Sequence, residues 1–127
     1  RLLLYGDSLT AGYHSNGMAF SPWASLLRTA LSAERCDHVG HSGWTTEHMC
    51  RAMDAADCAD VCGQRWPGLR TQLRAHGPYD VVLIMAGTND LATGARPEDI
   101  MANLEALHVA AHASGARTIA LAVPQSR

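Results

Sequence analysis

The chain has 127 residues, of which 47% are hydrophobic and 17% are charged, and its formal net charge is -2. This size predicts one compact domain. The charge balance is slightly acidic and there is no run of like charges, so the sequence shows no basic patch that would bind nucleic acid or an anionic membrane. All ten Lys and Arg positions are arginine, which excludes chemistry that needs a lysine, such as a Schiff base or a Walker-type phosphate loop.

Strand-like and helix-like segments alternate along the chain. Apolar runs predict strands at residues 2–5, 36–40, 79–85 and 118–123, of which the second is weak. Apolar residues at helical spacing predict helices from residue 21 to about 31, near 47–56, over 69–75 and over 97–113. This alternation is typical of an α/β domain with a parallel sheet.

Local signals indicate where two of these helices begin or end. Thr45 or Thr46 is the predicted N-cap of the second helix. Pro97 in the first turn and Gly115 beyond the last turn bound the final helix. Its buried stripe is predicted to consist of Ile100, Met101, Leu104 and Leu107. Residues 57–68 show no clear pattern.

The sequence indicates neither a membrane segment nor a cysteine framework. No apolar stretch approaches the roughly 20 residues that a membrane span needs, and because the chain opens at Arg1 without a methionine, its localisation stays open. The four cysteines lack Cys-x-x-Cys pairs and are too sparse for a disulfide scaffold. Cys58 and Cys62, with His48 and Cys50 upstream, have spacing compatible with a metal cluster. We interpret the cysteines instead as small buried or half-buried thiols.

Small polar residues follow three of the predicted strands. The loops read Gly-Asp-Ser-Leu-Thr at 6–10, His-Ser-Gly-Trp-Thr at 41–45 and Gly-Thr-Asn-Asp at 87–90. Ordinary turn chemistry accounts for any one of these loops taken singly. Ligands of open parallel sheets bind beyond the carboxyl ends of the strands, so three such loops at one edge indicate a functional site.

These loops resemble the conserved blocks of the SGNH hydrolases, also called the GDSL esterase and lipase family. The loop at 6–10 resembles the first block, Ser42 and Gly43 resemble the second, and the loop at 87–90 resembles the third, in the same order and strand context. The resemblance covers essentially the whole chain. It implies an α/β, three-layer, flavodoxin-like esterase domain over residues 1–127, without the family's final strand and helix and without its C-terminal Asp-x-x-His part.

The resemblance also implies the chemistry, which is hydrolysis of a carboxylic ester or thioester by a serine nucleophile without a cofactor or metal. Ser8 is the implied nucleophile, which forms an acyl-enzyme. The backbone N–H groups of Ser8 and Gly43 and the side-chain amide of Asn89 are the implied donors to the oxyanion. The implied partner is a small-molecule ester, thioester or acylated sugar. Binding to nucleic acid or to a membrane is not indicated. The oligomeric state stays open.

The family's catalytic base lies in an Asp-x-x-His element, and none occurs in this sequence. Glu105 and His108 have the related spacing Glu-x-x-His, but they lie inside a predicted helix and are interpreted as a solvent-facing pair. His14 and His41 flank the loops and are expected at the surface or in contact with substrate rather than in catalysis. We therefore expect the chain to be part of a longer hydrolase.

Other residues near the three blocks have predicted structural roles. Asp7 and Asp90 are expected to accept hydrogen bonds from loop amides. The three tryptophans, Trp23, Trp44 and Trp66, are expected to pack in the core or at the rim of the site. Trp44, next to Gly43, is also placed to line an acyl pocket.

Two alternative functions are compatible with parts of the pattern. A non-catalytic pseudoenzyme or binding module of the same fold would keep the oxyanion loops without a base. A flavodoxin-like nucleotide binder is disfavoured because the chain has no Gly-x-Gly-x-x-Gly fingerprint. An Asp-x-x-His element encoded after residue 127 would favour the enzyme, and a stop codon there would favour the pseudoenzyme.

Overall fold

The structure, a computed structural model, describes residues 1–124. Its strands are β1 (Leu2–Asp7), β2 (Tyr13–His14), β3 (Ala19–Phe20), β4 (Cys36–His41), β5 (Cys58–Ala59), β6 (Arg65–Trp66), β7 (Val81–Met85) and β8 (Arg117–Ala120). Its helices are α1 (Ser8–Ala11), α2 (Ala24–Ala30), α3 (Thr46–Arg51), α4 (Leu69–His76), α5 (Thr88–Ala92) and α6 (Pro97–Ala113). The last three residues of the predicted domain, 125–127, lie outside the described residues.

Four parallel strands form the central sheet in the order β4-β1-β7-β8. β1 pairs with β4 on one side, from Leu2 opposite Cys36 to Asp7 opposite His41, and with β7 on the other. The chain therefore moves first to one side of β1 and later to the other, which makes β1 a topological switch point of the flavodoxin-like kind. Ligands of such sheets bind in the crevice beyond the carboxyl ends of the strands at this point.

Helices cover both faces of the sheet and produce the predicted three layers. Successive side chains of a strand point to opposite faces, so Leu3 and Tyr5 lie in one core and Leu4 in the other. The first core includes residues of α3, α4 and α6, and the second includes residues of α2. Because β1 is covered on both faces, its apolar run is continuous rather than alternating.

The boundaries of α6 confirm the sequence prediction for the last helix. It runs from Pro97 to Ala113 and has proline in its first turn, where the missing N–H removes no hydrogen bond. Glu98 and Asp99 follow in the same turn, and their negative charges interact favourably with the partial positive charge of the helix N-terminus.

Several predicted boundaries were wrong. The helix expected near 47–56 ends at Arg51, and residues 87–90 were expected as a loop although α5 begins at Thr88. The strand expected at 118–123 ends at Ala120, opposite Ile84 of β7, and beyond it, within residues 1–124, only the N–H of Leu121 still donates to the carbonyl oxygen of Ile84. The segment without a clear pattern contains the antiparallel hairpin of β5 and β6.

The buried stripe predicted for α6 was also wrong at one position. Ile100 and Leu107 are buried and Leu104 is half-buried, but the side chain of Met101 is 63% exposed. Each residue of an α-helix is rotated by about 100° from the one before it. Met101 therefore lies about 100° around the helix from Ile100, outside the face that meets the sheet.

The contrast between buried Leu107 and exposed Met101 allows a test of which face of α6 packs in the core. Leu107→Ala should lower the free energy of unfolding by about 2–5 kcal/mol, because Leu107 is 0% exposed and its removal leaves a cavity. Met101→Ala, the matched control on the same helix, should change it by less than about 0.5 kcal/mol. Urea unfolding of both variants measures the two effects, and equal losses would contradict the assigned face of α6.

Candidate active site

Ser8 is the first residue of α1, directly after the central strand. Asp7 caps this short helix, and its carboxylate accepts a hydrogen bond from the N–H of Leu9 at 3.0 Å, which confirms the predicted role of Asp7. Gly6 is required here, because a Cβ at this position would lie 2.1 Å from the Met85 carbonyl oxygen. The same Cβ would lie 2.4 Å from the Oγ1 of Thr10, so glycine at position 6 also allows α1 to pack against β1.

Gly43 lies in the loop after β4, in a backbone conformation that favours glycine. Its φ is 76°, a value that L-residues rarely adopt, and a Cβ would lie 2.4 Å from the Cγ2 of Val61. The side chain of Val61 therefore packs directly against the backbone of Gly43. Both the torsion angle and this contact exclude a larger residue at position 43.

Asn89 lies in the first turn of α5, and its side chain reaches across to the loop that contains Gly43. Its Nδ2 donates a hydrogen bond to the carbonyl oxygen of Trp44 at 2.8 Å. A side-chain amide carries two N–H donors, and this bond uses one of them. The side chain of Asn89 is thus held beside the loop that contains Gly43, at the edge of the sheet.

A second contact joins the same two loops through the neighbouring residues. The carboxylate of Asp90 accepts hydrogen bonds from the N–H of Thr46 at 3.1 and 2.9 Å and from its hydroxyl at 2.6 Å. Asp90 is 2% exposed and Thr46 is 0% exposed, so the interaction is shielded from water. This confirms the prediction that Asp90 organises the loops. The N-cap of α3 is Thr45, the first of the two predicted candidates.

One backbone donor at this edge has no protein acceptor. Within residues 1–124, the N–H of Gly43 donates no hydrogen bond to another part of the chain. The side-chain amide of Asn89 carries a second N–H besides the one bonded to the Trp44 carbonyl. Such donors are suited to an oxygen atom that gains negative charge during a reaction.

Burial influences the ionisation of Asp7. Burial raises the pKa of the Asp7 carboxyl group above its usual value. The hydrogen bond from the N–H of Leu9 lowers the pKa, and the negative charge of Asp90 raises it. The effect of the Asp90 charge on the Asp7 carboxyl group is consistent with the convergence of their loops.

His41 was expected at the surface or in contact with substrate, and this prediction was wrong. The side chain is 0% exposed, stacks on Trp44 with ring centroids 4.2 Å apart, and meets the edge of Tyr5 at 5.6 Å. β4 extends to His41, and its side chain points to the same face as that of Val39 in the main core. Burial lowers the pKa of His41 to about 4.

The other histidines considered above have different partners. His14 is exposed, and its ring nitrogens lie 3.0 Å from the hydroxyls of Ser15 and Ser21. His108 is half-buried and lies 2.8 Å from the hydroxyl of Thr118, so the solvent-facing pair predicted with Glu105 was wrong. Within residues 1–124, no histidine side chain is hydrogen-bonded to Ser8.

The tryptophans and cysteines have structural positions. Trp23, Trp44 and Trp66 are half-buried against the two cores, as predicted. All four cysteines are free, and of these only Cys62 is exposed. In the part of the chain that the structure describes, no group of three or more His, Cys, Asp or Glu side chains is arranged to hold a metal ion.

The sequence reasoning missed Asp60, which lies in the segment without a clear pattern. Asp60 is 7% exposed, and its carboxylate accepts a hydrogen bond from the N–H of Ser42 at 2.9 Å. The N–H groups of Cys62 and Gln64 donate to the same carboxylate at 2.9 Å each. An acidic residue followed closely by Gly63 was a turn signal, but nothing local indicated the contact with Ser42.

The sequence model of the GDSL-like Lipase/Acylhydrolase family matches residues 4–126. The chain belongs to this family. A comparison with curated proteins finds no significant match. No helix within residues 1–124 has the length and apolar character required to cross a membrane.

Three solved structures share the fold. The psychrotrophic esterase EstA from Pseudoalteromonas sp. matches with a TM-score of 0.66 and 24% identity over 94% of this chain and 57% of that one. TesA matches with a TM-score of 0.63 and 26% identity over 96% of this chain and 59% of that one. A carbohydrate acetylesterase family member from Sinorhizobium meliloti matches with a TM-score of 0.53 and 31% identity, over 85% and 53%. The chain thus spans less than two thirds of the length of each.

The buried state of His41 gives a pH-dependent prediction. The ring has a pKa of about 4 in the folded state and about 6.5 when unfolded. As the pH falls from 6.5 to 4, only the unfolded chain gains a proton on this ring, so the free energy of unfolding should fall by roughly 3 kcal/mol. Above pH 6.5 the ring is neutral in both states and its contribution is constant.

Urea unfolding at pH 7, 5.5 and 4.5 would measure this dependence in the parent and in His41→Phe. The phenyl ring retains the stacking on Trp44 but cannot titrate, so the difference between the two proteins isolates His41 from other titrating groups. Identical pH dependence in both proteins would show that His41 is not kept neutral by burial.

Proposed function

We propose that the chain carries the nucleophile and the oxyanion donors of a serine ester hydrolase. The observation that supports this most directly is the 2.8 Å hydrogen bond from the Asn89 amide to the Trp44 carbonyl, because it brings the amide beside Gly43. Ser8 begins α1 at the same switch point. Membership of the acylhydrolase family and the esterase neighbours support the same class of reaction.

In the proposed mechanism, the Oγ of Ser8 attacks the carbonyl carbon of an ester while its proton passes to a general base. The carbonyl oxygen becomes negative and accepts hydrogen bonds from the N–H groups of Ser8 and Gly43 and from the Asn89 amide. Collapse of this intermediate expels the alcohol, which receives the proton, and leaves the acyl group on Ser8. Water then attacks the acyl carbon by the same route, which releases the acid and restores the serine.

The general base is proposed to lie outside these 127 residues, in an Asp-x-x-His element of the kind that the family resemblance implies. The arrangement of the histidines supports this, since none within residues 1–124 is hydrogen-bonded to Ser8. His41 is unsuited to the role because its ring is enclosed by Tyr5 and Trp44.

The proposed substrate is a small-molecule carboxylic ester, thioester or acylated sugar. The neutral donor set supports an acyl carbonyl as the reacting group, because amide N–H groups stabilise a developing oxyanion without an ion pair. Similarity to a carbohydrate acetylesterase family member supports the acylated sugar among these classes. Leu9 and Leu91, adjacent in sequence to Ser8 and Asp90, are 37% and 61% exposed and offer apolar surface to an acyl group.

A fluorophosphonate probe tests the nucleophile. The structure of EstA is described as inhibited by monoethylphosphonate, and phosphonates of this kind react with an activated serine. The protein encoded by the full reading frame that contains this chain should be labelled, and Ser8→Ala should abolish the labelling. Ser25→Ala, which removes an exposed hydroxyl on α2, is the matched control and should be labelled like the parent.

Labelling of the full-length protein, together with turnover assays of that protein and of the 127-residue chain, separates the alternatives. Equal labelling of Ser8→Ala and the parent would show that another residue is the nucleophile. A folded protein that binds esters without labelling or turnover would be the pseudoenzyme. Turnover by the 127-residue chain alone at about 10 per second, a typical enzyme rate, would show that a histidine of this chain acts as the base.

The role of Asn89 gives a kinetic prediction. Its free N–H is matched to an oxygen that acquires charge only during attack, so Asn89→Ala should lower the kcat of the active protein by roughly 10²- to 10³-fold. The KM should change little by comparison. A raised KM with unchanged kcat, measured by steady-state hydrolysis of a p-nitrophenyl ester, would instead make Asn89 a residue that binds the ground state.

A further inference from the structure

Asp60 links the β5–β6 hairpin to the loop that contains Gly43. Its Oδ2 accepts the N–H of Ser42 at 2.9 Å, and its Oδ1 accepts the N–H groups of Cys62 and Gln64 at 2.9 Å each. The residue is 7% exposed. A buried carboxylate that accepts three backbone N–H groups forms strong, charge-assisted hydrogen bonds. The hairpin turn and the loop before Gly43 are therefore held to the same side chain.

The hairpin also holds the peptide group that carries the Gly43 N–H. The N–H of Val61 donates to the carbonyl oxygen of Ser42 at 3.2 Å. The C=O of Ser42 and the N–H of Gly43 belong to one planar trans peptide group, in which they point in opposite directions. With the carbonyl directed at the hairpin, the N–H of Gly43 must point away from it.

The contact between Val61 and Gly43 limits movement of this peptide group further. The position of a Cβ on Gly43 is only 2.4 Å from the Cγ2 of Val61, so the isopropyl group lies against the glycine backbone. Asp60 holds the turn from which Val61 projects, through the N–H groups of Cys62 and Gln64. The same carboxylate therefore determines the position of Ser42 directly and that of Val61 through the turn.

We propose that Asp60 is a positioning residue that orients the N–H of Gly43 toward the transition-state oxyanion through its hydrogen bond to Ser42. This rests on the proposed function, since it assigns Asp60 a purpose within that site. Asp60 itself does not contact the reacting atoms. Its contribution is to keep a donor in place before the reaction begins, which is how fixed dipoles stabilise a developing charge.

Asp60→Asn tests the proposal selectively. The amide oxygen of asparagine can still accept the N–H groups of Cys62 and Gln64, which preserves the turn. Its NH₂ group must then face the N–H of Ser42, so a hydrogen bond is replaced by two opposed donors. Asp57→Asn is the matched control, because Asp57 lies in the same segment, is 52% exposed and pairs with Arg65 at 2.7 Å.

Two measurements distinguish positioning from folding. Hydrogen exchange of the Ser42 amide should accelerate at least about tenfold in Asp60→Asn and should not change in Asp57→Asn. In the protein from the full reading frame, kcat per site titrated with fluorophosphonate should fall by about 10- to 100-fold, less than for complete loss of an oxyanion donor, while KM stays within about twofold. A purely structural role would lower the titrated fraction and leave kcat per titrated site unchanged.

Each result has a definite meaning. Unchanged kcat per titrated site in Asp60→Asn, with Ser8 still labelled, overturns the role of Asp60 while the proposed function stands. If Ser8 is not labelled in the parent, the proposed function fails and the catalytic role of Asp60 fails with it. Accelerated exchange at Ser42 would in that case identify Asp60 as a structural link between the hairpin and the loop only.

Discussion

The hydrogen bonds between Asp90 and Thr46 hold together the two loops on which the site depends. These loops follow β4 and β7, which are not neighbours in the sheet because β1 lies between them. A buried carboxylate that accepts both the N–H and the hydroxyl of Thr46 joins them across β1. Asn89, the residue before Asp90, can then reach the carbonyl of Trp44. Loss of this carboxylate would leave the buried N–H of Thr46 without a partner, which is costly in a protein interior.

Close backbone packing brings Ser8 into the same arrangement. A Cβ at Gly40 would lie 2.5 Å from the backbone nitrogen of Ala11, and one at Gly6 would lie 2.1 Å from the carbonyl oxygen of Met85. Gly40 therefore allows α1 to lie directly against β4, and Gly6 allows close approach both of the neighbouring strand β7 and of Thr10 in α1. Larger side chains at either position would push α1 outward and separate Ser8 from the two loops. Gly6 and Gly40 thus have a packing role in addition to the turn geometry that glycine commonly serves.

The sequence predicted those features that depend on neighbouring residues. The run at Leu2–Tyr5 predicted a strand buried on both faces, and Pro97 predicted the start of the longest helix. Asp60 was missed because its contact with Ser42 joins residues 18 apart in sequence, and such pairing leaves no periodic pattern. The hairpin beside it has strands of only two residues each, too short for an alternating pattern. The burial of His41 could have been found, since extending the strand by one residue places it on the face of Val39.

The proposed site combines groups with different sensitivities to pH. The three proposed donors are backbone N–H groups and a neutral amide, none of which titrates near neutral pH. Hydrogen bonds from backbone N–H groups to the carboxylates of Asp60 and Asp90 can therefore hold these donors in place whether or not a base is present. Only the base that accepts the proton of Ser8 must change its charge during the proposed reaction. His41 cannot take that proton because its ring is buried between Tyr5 and Trp44 and its pKa is lowered to about 4. In the proposed mechanism, oxyanion stabilisation and proton transfer are thus separable, so a fold that positions the proposed donors would not by itself activate Ser8.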